Sequence, residues 1–200
     1  IGWCDWSSDV CSSDLIHNIE FIEGDAMEVL SARGPFDLIF SSWVLGYIPL
    51  APFIRLAAQS LSPEGRLAFV AHKENSPRAP LEIFGELIAE TPSALLKQVH
   101  FDFPPDMQRV KENIVSAGLE VKRLWEGEVV FRFDAPDGVL EHLLKSGAGT
   151  AYYEAVDPDC REALEKEFLK RYSVLKNHEG KYEAAHEYIA CIAVRKMGLQ

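Results

Sequence analysis

The residues of this chain that could do chemistry stand where apolar runs give way to polar ones. His72 directly follows residues 66–71 (RLAFVA). A neutral imidazole at the end of a buried strand can take a proton from a hydroxyl or a carbon acid. Lys73 and Glu74 follow it, and a histidine bonded to a loop backbone fits the same residues. Asp25 follows Gly24 and suits the cap of a short helix beginning near Met27. Ser41 and Ser42 end the compact apolar run 36–40, where small residues let a ligand approach the backbone or let a turn satisfy itself. Trp43 and Tyr47 come next; Tyr47 can stack, hydrogen-bond or simply pack. Tyr152 and Tyr153 close the Gly-rich stretch 146–151. That stretch is no phosphate loop, because no strand feeds it and no Lys-Ser/Thr follows. His17, His100, His142, His178 and His186 show no metal spacing with a carboxylate or Cys, so no metal is expected.

These residues need elements to hold them. Residues 19–22 alternate apolar and polar and predict a short strand ending at Gly24-Asp25. Run 36–40 predicts a strand buried on both faces. Phe53, Ile54, Ala57 and Leu61 recur at helical spacing, and Ser62-Pro63-Glu64-Gly65 stops that helix, with Gly65 available for a left-handed exit. Strand 66–71 follows. Helices are predicted near 80–89 and 105–117, then β structure over 121–133, as a hairpin broken at Gly127 or one long bent strand. Further helices fall near 136–145 and 158–172, the latter with Asp157 as cap and Pro158 at its first position. Residues 188–194 (YIACIAV) predict a last buried strand. Strands alternating with helices over short connections argue a parallel sheet with helices on its faces.

Composition narrows the class. The 200 residues are 48% apolar and 26% charged, ordinary for a globular chain, which excludes disordered, collagenous and coiled-coil proteins. A net charge of −11 disfavours a nucleic-acid partner. No apolar run approaches the roughly 18 residues of a membrane-spanning helix. Residues 1–15 (IGWCDWSSDVCSSDL) stand apart: they carry Cys4 and Cys11, repeat Ser-Ser-Asp and contain no Lys or Arg. They read like translated sequencing-adapter DNA and are expected to be an artefact, with residues 16–200 forming one partial domain. The remaining Cys160 and Cys191 give no disulfide framework, so a reducing, cytoplasmic setting is expected.

Four short words in the right order resemble the class I S-adenosylmethionine-dependent methyltransferases. Residues 21–26 (FIEGDA) are similar to that family's third strand and the acidic turn after it. Residues 36–49 (FDLIFSSWVLGYIP) resemble its fourth strand and loop, and 61–67 (LSPEGRL) its turn into strand five, with Glu64 where Gly is usual. Residues 117–121 (AGLEV) resemble the entry to strand six, and 188–194 would be an antiparallel strand seven. The resemblance spans about residues 18–196.

It implies an α/β Rossmann-like sheet in a three-layer α/β/α arrangement, with a helical lid inserted at 134–183. It implies transfer of a methyl group from S-adenosylmethionine to a small organic acceptor, apolar or lipid-like. Gly24, Asp25, Ala26 and Met27 would hold the adenine, with Asp25 accepting its amino hydrogen, Ala26 donating to the ring and Met27 packing on it. Ser41 and Ser42 would lie along the methionine part. Trp43, Tyr47, Tyr152 and Tyr153 would line the acceptor pocket, and His72 would be the catalytic residue. The family's Gly-rich first loop and second-strand acid have no counterpart, so the sheet is expected to lack its first two strands. A chain so built is expected to aggregate and to bind cofactor weakly. The alternatives are a non-catalytic Rossmann-like partner-binding module and a nicotinamide enzyme, the second disfavoured by the antiparallel last strand.

Overall fold

A parallel strand pair starts the architecture, and an antiparallel ribbon extends it. The computed structural model describes residues 19–195 except 75 and 147; the segment 1–15 and His17 lie outside the described residues. Strand β1 (Phe36–Ser42) pairs in parallel with β2 (Leu61–His72). Strand β4 (Tyr182–Arg195) runs antiparallel to β2, and β3 (Leu119–Phe133) antiparallel to β4. The order across the sheet is β1-β2-β4-β3. The β1–β2 connection passes through α2 (Leu50–Ser60), the crossover that parallel pairing requires. The last strand is antiparallel, as the resemblance implied, and residues 121–133 belong to one continuous strand.

Apolar residues divide the sheet into two faces. Leu67, Phe69 and Ala71 of β2 share one face with Ile189, Cys191 and Ala193 of β4, because each pair stands in register. Helix α2 covers this face with Phe53, Ile54, Ala57 and Ala58, and α4 (Met107–Ser116) adds Val110 and Ile114. The short helix α1 (Ala26–Ala32) rests on α2, where Ser60 Oγ donates to Leu30 O at 2.9 Å. The far half of the opposite face carries a second core. It joins α3 (Arg78–Glu90), α5 (Pro136–Lys145) and α7 (Pro158–Tyr172) to Tyr182 and Ala184 at the start of β4. Helix α6 (Ala148–Ala155) packs on α5 and went unforeseen. Helices α5, α6 and α7 thus lie between β3 and β4 in the chain and stand over the outer part of that ribbon.

Three expectations need correction. Residues 19–22 form no strand; a strand exists only through its ladder, and no described residue pairs with them. Strand β1 is not buried on both faces. Ile39 is buried, but Leu38 and Phe40 are 59% and 64% exposed, because no described element covers their side. The left-handed residue after α2 is Glu64 (φ 66), not Gly65; Gly65 is needed because a Cβ there would lie 2.8 Å from Phe36 O.

Candidate functional site

The parallel strands β1 and β2 both end toward one cleft, and ligands of open α/β sheets sit at such carboxyl ends. Ser42 closes β1, and Trp43 follows with φ 60, a left-handed conformation costly for a bulky residue. Its N–H donates to Val70 O at 2.8 Å, holding the turn against β2. His72 closes β2 and is 4% exposed. Its ring stands 4.5 Å from that of Trp43, 5.7 Å from Phe103 and 5.4 Å from His186.

His186 reaches the site through strand register. Tyr188 lies opposite His72, so His186, two residues back, shares its face and is also 4% exposed. From α5, His142 places Nε2 2.8 Å from His186 Nε2, so one nitrogen donates and the other accepts. Together with Val129, Phe131 and Ser146, these residues and Trp43 line a cavity of about 310 Å³. Burial pushes the His72 and His186 imidazoles down to about 4, with the charges of His72 and His142 adding to the effect on His186. Burial lowers His142 too. All three are therefore neutral at physiological pH. Among the described lining residues none is Asp, Glu, Lys or Arg.

A second cleft, of about 410 Å³, lies beside the first between α3 and residues 95–103. Phe101, Phe103 and Tyr152 face it along with Glu74 and Glu82. Tyr47 meets Phe101 and Phe103 edge-on at 5.1 and 5.5 Å; burial pushes its phenol up to about 12, so it stays protonated. Gly46 (φ 112) permits this packing, since a Cβ there would lie 1.9 Å from Phe103 Cδ1. Asp102 anchors the same loop, its N–H donating to Gly46 O and its carboxylate accepting from Leu50 N at 3.0 Å.

The sequence-derived residues therefore divide. Trp43 and His72 meet in the first cavity; Tyr152 lines the second, and Tyr47 meets two of its aromatic residues edge-on. Tyr153 belongs to neither: it donates to Glu165 and lies under the Arg161 guanidinium. Ser41 is half-buried and Ser42 exposed, both beside Trp43. Asp25 is exposed and caps α1, accepting from Met27 N at 2.7 Å, the structural role weighed for it. His142 and His186 were missed. Setting YIACIAV antiparallel to RLAFVAH, with Tyr188 opposite His72, would have put His186 on the cavity face; nothing local in α5 announces His142. Tyr172 and Lys176 have Tyr-x-x-x-Lys spacing, but Tyr172 is buried and donates to Glu183 O, outside the cleft.

No protein-family model and no curated protein sequence matches the chain. Solved structures do. A Bacillus halodurans C-125 protein named as a methyltransferase superposes with a TM-score of 0.51 at 15% identity, over 90% of this chain and 78% of that one. A Galdieria sulphuraria protein named as a sarcosine dimethylglycine methyltransferase gives 0.46 at 14% identity, over 92% of this chain and 62% of that one. The first of these shows the fold: an α/β chain with a mixed four-stranded sheet built as in a methyltransferase-type structure.

Proposed function

We propose that this chain is the acceptor-binding part of an enzyme that transfers a methyl group from S-adenosylmethionine to a small organic molecule. The observation that carries the reading is the neutral cavity at the carboxyl end of the parallel pair, roofed by a helix inserted between the last two strands. The sulfonium supplies an already activated methyl group, so the protein's share is alignment and exclusion of water. Trp43, Phe131 and α5 exclude water; His72 holds the acceptor.

The residues present fit the adenine half of the cofactor. Asp25 uses Oδ1 for its helix cap, leaving lone pairs for an amino group, and Met27 is half-buried beside it. Gly24 and Ala26 flank Asp25 without bulk, and Ser41 and Ser42 leave β1 open for the methionine half. Among the described residues no strand runs into a Gly-rich turn that would hold the methionine carboxylate. Weak binding follows.

Saturation-transfer NMR with S-adenosylhomocysteine tests this. The expected result is transfer to adenine protons, reduced in Asp25→Ala and in Ser41→Leu. Absence of transfer at millimolar ligand, or undiminished transfer in both variants, overturns it. One observation favours a second reading. Leu38 and Phe40 present bare apolar surface on β1, which suits a partner-binding module without catalysis. Binding of a protein partner that survives loss of cofactor contacts would put that reading first.

A further inference from the structure

The first cavity restricts what it can hold. Its described lining offers no charged side chain, so a carboxylate, phosphate or ammonium group would be desolvated without a counterion. Three of its polar groups are already engaged. Ser146 Oγ donates to Leu143 O at 3.0 Å, and the Nε2 atoms of His142 and His186 bond each other. The His72 Nδ1 is buried with no partner. A buried N–H without an acceptor costs more than a bare ring nitrogen, so the proton belongs on Nε2. His72 therefore presents an N–H donor, on the one nitrogen not sealed in the fold. A donor so placed asks for an oxygen lone pair. The volume, about 310 Å³, suits one ring with a few substituents. Trp43 and Phe131 give the ring apolar walls.

We infer that this cavity binds an uncharged, ring-sized molecule through a carbonyl-type oxygen that accepts a hydrogen bond from His72 Nε2, and that it rejects charged rings of the same size. The inference rests on the methyl-transfer reading only in calling this ligand the acceptor. His72 is then a donor that positions the acceptor and polarises its oxygen, in place of the proton acceptor that its position in the sequence suggested. The low basicity of its imidazole agrees with this.

The experiment is equilibrium binding of four probes to the 200-residue chain without cofactor: acetophenone, toluene, benzoate and benzylamine. Acetophenone is expected to bind at least 10-fold more tightly than benzoate or benzylamine. His72→Phe is expected to weaken acetophenone by about 3- to 10-fold, the worth of one hydrogen bond, and to leave toluene unchanged. His72→Gln, whose amide nitrogen reaches the place of Nε2, is expected to restore acetophenone binding; His72→Asn, which mimics Nδ1, is not. If His72→Phe fails to fold, the Gln and Asn pair decides alone. Equal binding of benzoate or benzylamine overturns the inference, as does equal acetophenone binding in His72→Gln and His72→Asn. Because no cofactor is present, failure here leaves the S-adenosylhomocysteine result standing, and failure there leaves this one standing.

Discussion

Three histidines in one apolar pocket tie the site to pH. An unfolded histidine takes up a proton near 6.5, whereas burial holds folded His72 and His186 neutral down to about 4. Stability is therefore complete above pH 6.5 and falls as pH drops from 6.5 toward 4. His72 alone accounts for about 2 kcal/mol of that loss by pH 5. Urea midpoints at pH 7.5 and pH 5 check this, and His72→Phe should narrow the difference while His186 keeps part of it. A midpoint that does not move between the two pH values would mean the imidazoles are not buried neutral. Gly46 makes a second residue-scale case. Gly46→Ala drives a Cβ into Phe103 at a positive φ, so it should cost on the order of 2 kcal/mol and lower the melting temperature by several degrees. It should also weaken acetophenone binding, because Phe103 braces His72. At this scale the places of His72 and Trp43 could be read from the sequence, since each follows an apolar run, and that of Asp25 from the short helix it caps. His142 could not, because its value comes from a nitrogen on another element.

Elements were legible where their signals are local. Asp157 caps α7 as expected and Asp106 caps α4 in the same way, accepting from Asp159 N at 3.0 Å and Arg109 N at 2.8 Å. Helix α2 shows the limit of such reading. Pro49 at its start offers no side-chain acceptor, and Asp102, 52 residues after Leu50, supplies one to the Leu50 N–H. Asp102→Ala should destabilise the chain by about 1 kcal/mol, with amide exchange faster at the start of α2 than in α4. Strand lengths were misjudged for a related reason. β4 begins at Tyr182, six residues before the apolar run, because β3 is there to pair with it. Residues 19–22 have strand-like alternation but no such partner. Among the helices between β3 and β4, Arg171 of α7 binds Glu90 of α3 with Nη2 2.6 Å from Oε2 and reaches Glu167 on its own helix at 3.2 Å. Arg171→Met should leave the urea midpoint nearly unchanged, since the acids are largely exposed and solvent screens the pair.

For the whole molecule, the edge at β1 governs behaviour. Leu38 and Phe40 are exposed on a strand with an unpaired side among the described residues, and Phe21 adds another exposed ring. Such an edge invites pairing with another chain. Sedimentation should show concentration-dependent association of the 200-residue chain, reduced by Phe40→Lys. A cooperatively melting monomer at high concentration would contradict it. The expectation of a bare edge came from the resemblance, since the apolar run 36–40 by itself reads as a buried strand. The antiparallel last strand followed the same route.

The row His72–Tyr188–Gly127 is a seam. On one side β2 is part of the sheet; beyond it only β3 and β4 continue, as a two-stranded arm that carries α5, α6 and α7. Gly127 sits in that row because a Cβ would strike Tyr188 Oη at 2.7 Å. The pocket is assembled across this seam, with His72 from the sheet and His142 from the arm. An arm of different length or sequence can be exchanged there without shifting a single sheet register. The lining of the pocket can therefore change with the whole arm, while the carboxyl ends of β1 and β2 stay as they are.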